Sequence, residues 1–364
     1  MRPTEGYSGN AGAKAPAHEA EATLRAAGAI AAVAAGILAA WVSSIGAQQT
    51  PAPVDIDIVP VRSNVFMLVG SGGNTTIHVG DDGVMVVDTQ FANMSDRLLA
   101  AIRKVSDQPI RYVVNTHLHG DHIGGNEAIS KAGRFRAGGN VVGDIGAAAT
   151  DTARIFAHEN ALTRMVKATG QNAVTQAAWP TETFFGRRKD MLFNGEAVQF
   201  VHMPKAHTDG DIAVFFRRSD VIATGDLFTT VMYPYIDRAS GGTINGYIDA
   251  LNGILDITVA SNVNEGGTLV IPGHGRLCDE QDVIEYRDMV TIVRDRIREY
   301  VKRGMTLDQV KEKKPTLDFD GRYGTPNGFW TPTQFIEQIY KDMVAENPPA
   351  SGTQKPTQQR RGTK

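Results

Sequence analysis

The most chemically loaded stretch of the chain is Asn115-Thr116-His117-Leu118-His119-Gly120-Asp121-His122-Ile123-Gly124-Gly125, with three imidazoles and a carboxylate inside six residues. Neutral imidazole and carboxylate are borderline ligands that suit zinc. Two metals need more donors than one loop can carry, so this chemistry requires residues from elsewhere to converge here. Residues of ligand type do recur downstream at the ends of apolar runs. The alternative is a polar loop whose histidines cap nearby backbone groups.

The elements that must position these residues read as an α/β chain. The apolar run 110–114 precedes the histidine loop as a buried strand, and the glycines behind it suit a tight turn into a helix. Upstream, residues 56–59, 65–69, 75–79 and 84–87 read as strands. The glycine-rich break 70–74 forms a hairpin tip, expected either to overhang the site or to be an ordinary exposed turn. Residues 94–105 carry helical spacing, which completes a β-α-β passage into the loop. A long helix is expected over 145–169, across the mouth of the site, and an irregular connection over 173–187. Strands follow at 197–203, 212–216, 221–223 and 268–271. Helices are expected at 244–260, 279–302, 306–312 and 331–344.

His-x-His-x-Asp-His, as it stands from His117 to His122, resembles the signature of the metallo-β-lactamase superfamily. The family's other marks occur in its order. Asp88 ends the strand Val84-Met85-Val86-Val87, and His207 lies in Ala206-His207-Thr208-Asp209-Gly210-Asp211. Asp226 lies in Ala223-Thr224-Gly225-Asp226-Leu227-Phe228, and His274 in Ile271-Pro272-Gly273-His274-Gly275. The resemblance implies an αβ/βα four-layer sandwich whose two halves both supply ligands. It assigns His117, His119 and His207 to a first zinc, Asp121, His122 and His274 to a second, and Asp226 to both. Each zinc keeps an open position, as a catalytic zinc requires. The nucleophile implied is a bridging hydroxide, with Asp121 also passing a proton to the leaving group. Asp88 is expected to orient a ligand histidine, and Asp211 to do the same or to cap a strand.

The resemblance also narrows the substrate. The stretch between Asp226 and His274 is too short for the inserted domain of the nucleic-acid-processing members. His119 stands where iron-binding redox members carry Glu, which favours a zinc pair. Best-known β-lactamases place Cys where Asp226 stands and Lys where Thr229 stands; here Arg164 or Arg238 would have to replace that lysine. Asp at the bridge is similar to glyoxalase II-like thioesterases and lactonases. The reading is a secreted dizinc hydrolase of a small-molecule amide, lactone or ester, with β-lactams narrowly first and a thioester hydrolase as the alternative. A non-catalytic metal- or partner-binding protein is the alternative of another class.

Composition agrees with a globular hydrolase. Apolar residues make up 42% and charged residues 21% of the chain, the balance of a folded domain. The net charge of -3 offers no basic field for nucleic acid. Cys278, the single cysteine, is expected to be a buried thiol rather than a ligand. Residues 1–50 read as a signal peptide, or a membrane anchor, plus linker. The alanine-rich run 26–42 leads to small residues before Ala47, where cleavage would free a periplasmic protein with no membrane contact. Residues 51–348 form the hydrolase domain and 349–364 a disordered tail. Of the remaining histidines, His18 falls in the targeting segment, His78 and His202 sit on strands, and His158 is a candidate for facing the site.

Seven donors in this order predict two zinc ions per chain. Elemental analysis of the purified, zinc-loaded protein is expected to give about two equivalents, and a reproducible value near zero would remove the metal reading.

Overall fold

The computed structural model describes residues 52–135, 152–170, 173–263 and 265–346. Two sheets are built from strands whose apolar residues alternate or run continuously. The first has the order β1 (Asp57–Arg62), β2 (Val65–Val69), β3 (Thr75–Gly80), β4 (Gly83–Val87), β5 (Ile110–Val114), β6 (Arg154–His158) and β7 (Glu182–Phe184). Its first four strands pair antiparallel and β4 to β7 parallel. The second contains β8 (Arg188–Phe193), β9 (Glu196–His202), β10 (Ile212–Phe216), β11 (Val221–Ala223), β12 (Leu269–Ile271) and β13 (Cys278–Asp279), again in chain order.

Side chains alternate across a strand, so each sheet has two faces to cover. Val65, Met67, Met85 and Val87 point inward and pack against Phe200, Ile212, Val214 and Phe216 of the second sheet. Val84 and Val86, on the other side of the same strand, meet Leu98 and Ile102 of α1 (Ser95–Val105). Ala213 and Phe215 face outward toward Tyr247 and Leu251 of α5 (Ile244–Leu255) and Val290 of α6 (Glu280–Lys302). The layers are therefore helix, sheet, sheet, helix, the αβ/βα sandwich expected from sequence. Short helices α2 (Gly120–Ile123) and α3 (Asn126–Ala132) follow β5, α4 (Glu159–Lys167) follows β6, and α7 (Leu307–Glu312), α8 (Asp320–Tyr323) and α9 (Pro332–Glu346) close the chain.

The helix expected over 145–169 is corrected. Residues 145–151 lie outside the described residues, and Arg154–His158 is a strand paired parallel to β5 and β7. Ile155, Phe156 and Ala157 are all buried, so the run serves both sheet faces, and its short apolar stretch does not distinguish strand from helix by periodicity. Only Glu159–Lys167 is helical, starting where His158 caps the backbone of Asn160. The long helix α6 begins as its sequence implies, with Asp279 and Asp282 forming a capping box. The alanine-rich run and the C-terminal tail, with the expectations made for them, fall outside the described residues. No helix among the described residues is long and apolar enough to cross a membrane.

The glycine-rich hairpin tip is a packed part of the site, not a free turn. Gly73 N–H donates to Asp121 O at 3.0 Å and Asn74 N–H to Gly273 O at 2.7 Å, which joins the loops carrying the two groups of donors. A Cβ on Gly73 would come within 2.3 Å of the His122 ring. Gly73→Ala is expected to destabilise the protein by about 1–3 kcal/mol through overpacking, read as a lower Tm, and to loosen metal held by His122. An unchanged Tm and zinc affinity would show that the close approach is dispensable.

Candidate metal centre

All seven candidate donors lie at one end of the sandwich, on loops that leave strands of both sheets. His117, His119, Asp121 and His122 follow β5; His207 precedes β10; Asp226 follows β11; His274 follows β12. Ile212 N–H donates to Thr116 O at 2.9 Å, which pins the two sheets together beside the cluster. Donor atoms of His117, His119, His207 and Asp226 lie within 4.8 Å of one another, and so do those of Asp121, His122 and His274. Asp226 reaches both groups. Its Oδ2 is 4.0 Å from His117 Nε2 and 3.7 Å from His207 Nε2, while Oδ1 is 3.2 Å from His122 Nε2 and 3.4 Å from His274 Nε2. Gly273 makes this possible, because a Cβ there would sit 2.1 Å from Asp226 Oδ1.

The partners of the outer ring nitrogens fix which nitrogen is bare. His122 Nδ1 lies 2.8 Å from Asp88 Oδ2, and His207 Nδ1 lies 2.6 Å from Tyr235 O. Thr116 Oγ1 donates its proton to Asp88 Oδ2 at 2.7 Å, so it can accept only from His117 Nδ1, at 3.0 Å. His119 is turned the other way, with Nε2 at 3.1 Å from Asp237 Oδ2. Each outer nitrogen carries a proton, so the four inner nitrogens are the ones available to ligate a metal. His207 Nε2 and His119 Nδ1 are then 2.8 Å apart, a contact that needs a proton or a metal ion between them. His117 Nε2 and Asp226 Oδ1 are buried and receive no hydrogen bond. Buried acceptors without donors are the signature of a missing cation, and this donor set fits zinc.

Electrostatics point the same way. Burial, followed by the neighbouring imidazoles, holds His117 well below its ordinary pKa and His207 at about 4, so both are neutral and ready to ligate. Burial opposes charge on His122 as well, but Asp226, Asp121 and Asp88 outweigh it and push its pKa well up. Burial works against Asp121 too, yet His122 and His274 bring it down to about 2. Asp121 and Asp226, the latter also held low by His122 and His274 against its burial, are thus ionised and draw positive charge toward the cluster.

Asp88 lies behind His122 and Thr116. It adopts a left-handed backbone, φ 62°, and accepts from Thr116 N–H at 2.8 Å as well as holding His122. Asp211 closes its own loop instead, accepting from Thr208 N–H at 2.7 Å and Thr208 Oγ1 at 2.6 Å. Burial, only partly offset by those bonds, raises its pKa to about 7. His158 does not join the donors: it stacks on His202 with ring centroids 3.6 Å apart and caps α4. His78 is buried against Glu196, 3.0 Å away. Cys278 is buried, and burial raises its thiol to about 12, an inert group. Arg164 is held bidentate by Asp209 and also donates to Ala239 O. Arg238 pairs with Asp342 at 2.6 Å. Asp237, Thr116 and Tyr235 were not found from sequence. Asp237 lies in a loop without periodicity or motif, and the other two act through atoms no motif encodes.

Outer partners of ligand histidines typically support metal affinity by about 10–100-fold. Asp237→Ala is expected to weaken the group containing His119 selectively, whereas Asp88→Ala weakens both groups, through His122 and through Thr116 and His117. Stepwise zinc titration resolves the two. Equal loss at both steps in Asp237→Ala would contradict this division.

Comparison with known proteins follows the same lines. The model of the metallo-beta-lactamase superfamily matches residues 68–274. A linear primary-alkylsulfatase of Pseudomonas sp. (strain ATCC 19151) is 24% identical over 272 residues, covering 64% of this chain and 48% of its own. A metallo-beta-lactamase type 2 of Bacillus sp. (strain 170) is 23% identical over 211 residues, 57% of this chain and 68% of that protein. Among solved structures, the stereoselective inverting sec-alkylsulfatase Pisa1 from Pseudomonas sp. aligns with a TM-score of 0.57 at 15% identity, over 79% of this chain and 50% of that one. The chain spans about half the length of these two alkylsulfatases, and the structural likeness shows the fold alone. With more than half of its length inside the family match, this chain, whose two candidate metal-ligand groups lie at the seam of its sheets, belongs to the metallo-beta-lactamase superfamily.

Proposed function

We propose that the protein is a two-zinc hydrolase that acts on esters, with carboxylic, thio- and sulfuric esters and lactones as its substrate range. The observation that carries this is the two-sided carboxylate of Asp226, with one oxygen turned to each group of donors. In this reading His117, His119 and His207 would hold one zinc and Asp121, His122 and His274 the other, with Asp226 able to reach both groups. When bound, the zinc pair supplies the charge that polarises the scissile bond and lowers the pKa of an attacking water to about 7.

The chain's residues do the rest. Asp88 and Asp237 keep His122 and His119 in the tautomers that leave their inner nitrogens bare. Asp121, held at about 2, is an anion at neutral pH and serves first as a ligand. It can hand the leaving group only a proton that it has taken from the attacking water. The donors are fixed before substrate arrives, so little reorganisation accompanies charge development.

Esters are favoured over β-lactams by the state of the arginines. A β-lactam brings its own carboxylate, and the two arginines considered as its partners, Arg164 and Arg238, are already engaged by Asp209 and Asp342. β-Lactam hydrolysis stands as the second reading, supported by the Bacillus relative. Export to the periplasm, with cleavage near Ala47, belongs to the same proposal and suits either substrate.

Zinc-loaded protein tested against p-nitrophenyl esters, a thioester, a lactone, an alkyl sulfate and nitrocefin separates the readings. Turnover of one or more esters well above nitrocefin is expected, with loss of about a hundredfold or more in Asp226→Ala. Nitrocefin as the best substrate would reverse the order, and no turnover of any compound by zinc-replete protein would favour the non-catalytic alternative.

A further inference from the structure

Beside the metal centre stands an apolar wall that none of the donor chemistry uses. Tyr235 lies with its ring centroid 5.8 Å from that of His207 and 5.9 Å from that of His119. Two further aromatics continue outward from it: Trp330, edge-on at 4.9 Å, and Phe329, tilted at 5.4 Å. Phe329 is 47% exposed, a large apolar ring left open to water beside a polar centre. Phe329 and Trp330 come from the segment joining α8 to α9, beyond the residues matched by the family model.

The wall is rigid. Trp330 Nε1–H donates to Pro234 O at 3.0 Å, next to Tyr235. Tyr233 stacks on Phe335 of α9 at 4.8 Å, and its hydroxyl donates to Asp320 Oδ1 at 2.8 Å. His207 Nδ1 holds Tyr235 O from the inside. The loop carrying Tyr235 is thus fastened at its metal side and at its C-terminal side, which holds Tyr235 and Trp330 in place. An aromatic row that begins at the ligand histidines with half-buried Tyr235 and Trp330 and ends on exposed Phe329 is suited to an apolar group attached to the bond being cleaved.

We infer that Tyr235, Trp330 and Phe329 form a subsite for a straight alkyl chain, so that the preferred substrates are esters with a medium-length aliphatic tail. The inference rests on the ester-hydrolase reading for its reaction, and on the aromatic row alone for its binding. The carboxyl end of such a molecule faces the zinc pair, and the methylenes lie along the row toward Phe329.

Straight-chain carboxylates from butanoate to octanoate, below their micelle-forming concentrations, probe the row without turnover. Calorimetric titration into zinc-loaded protein is expected to show Kd falling roughly two- to fourfold per added methylene. Phe329→Ala is expected to flatten that dependence for the longer chains, and Phe329→Leu to keep most of it. In parallel, kcat/KM for p-nitrophenyl esters is expected to rise with chain length in wild type and less steeply in Phe329→Ala. A Kd independent of chain length in wild type, or an unchanged dependence in Phe329→Ala, would overturn the subsite. Chain-length-dependent binding without hydrolysis of any ester would uphold the subsite and remove the ester-hydrolase reading instead.

Discussion

Seven metal-ligand side chains are held at contact distance, where any two bare lone pairs repel, and the architecture around them resists that repulsion. His119 Nδ1 and His207 Nε2 stand 2.8 Å apart, and the two oxygens of Asp226 are pressed against imidazole nitrogens on both sides. In water such an arrangement would relax at once. Here the rings of His117, His119, His122 and His207 are held from behind by an acceptor: Thr116 Oγ1, Asp237, Asp88 and the Tyr235 carbonyl. Those outer bonds work only because their own bearers are fixed by strands, by a left-handed turn at Asp88 and by a loop clamped from the C-terminal helices.

Much of this was legible in the chain. The spacing of His117, His119, Asp121 and His122 after an apolar strand identified the centre, and the resemblance assigned His207, Asp226 and His274 to it. Strands written as compact apolar runs, such as Ile212–Phe216, and helices with clear caps, such as Glu280–Lys302, fell where the sequence pattern implied. What sequence could not yield was whatever depends on three-dimensional closure. Arg154–His158 is short and apolar on both faces, a pattern that strand and buried helix share. Asp237 has no local pattern because its partner lies 118 residues away. Gly73 and Gly273 look like ordinary turn glycines until the rings and carboxylate they make room for are seen.

The C-terminal third has a double duty that the donor motif does not reveal. It covers the second sheet, with Tyr286, Val290 and Phe335 buried in one cluster, and it also shapes the rim of the metal centre. Tyr247 of α5 donates to the backbone oxygen of Asp226 at 2.9 Å, and Tyr286 of α6 donates to Met232 O at 3.0 Å. Core packing and site geometry are therefore set by the same helices, and substitutions deep in this layer act on the loop that carries Asp226 and Tyr235. This links the stability of the second half to the position of the shared carboxylate.

At the far end of the sandwich the two sheets are joined by a contact that asks for no metal. Glu196, buried on β9, lies 3.0 Å from His78 of β3 and accepts from Ser219 Oγ at 2.7 Å and from the backbone N–H groups of Arg218 and Ser219. Burial alone would raise its pKa, but His78 and Ser219 bring it down to about 2. A carboxylate depressed in the folded state contributes stability above its unfolded value, near 4.3, and loses that contribution as pH falls toward 2. Nearby, Arg62 of β1 donates to Gly267 O at 2.9 Å and adds a second tie between the sheets. Between these ties and the metal centre lies a continuous apolar interface from Val65 to Ile271. The sandwich thus closes on its own interactions at one end and through the core, away from the two groups of metal-ligand residues.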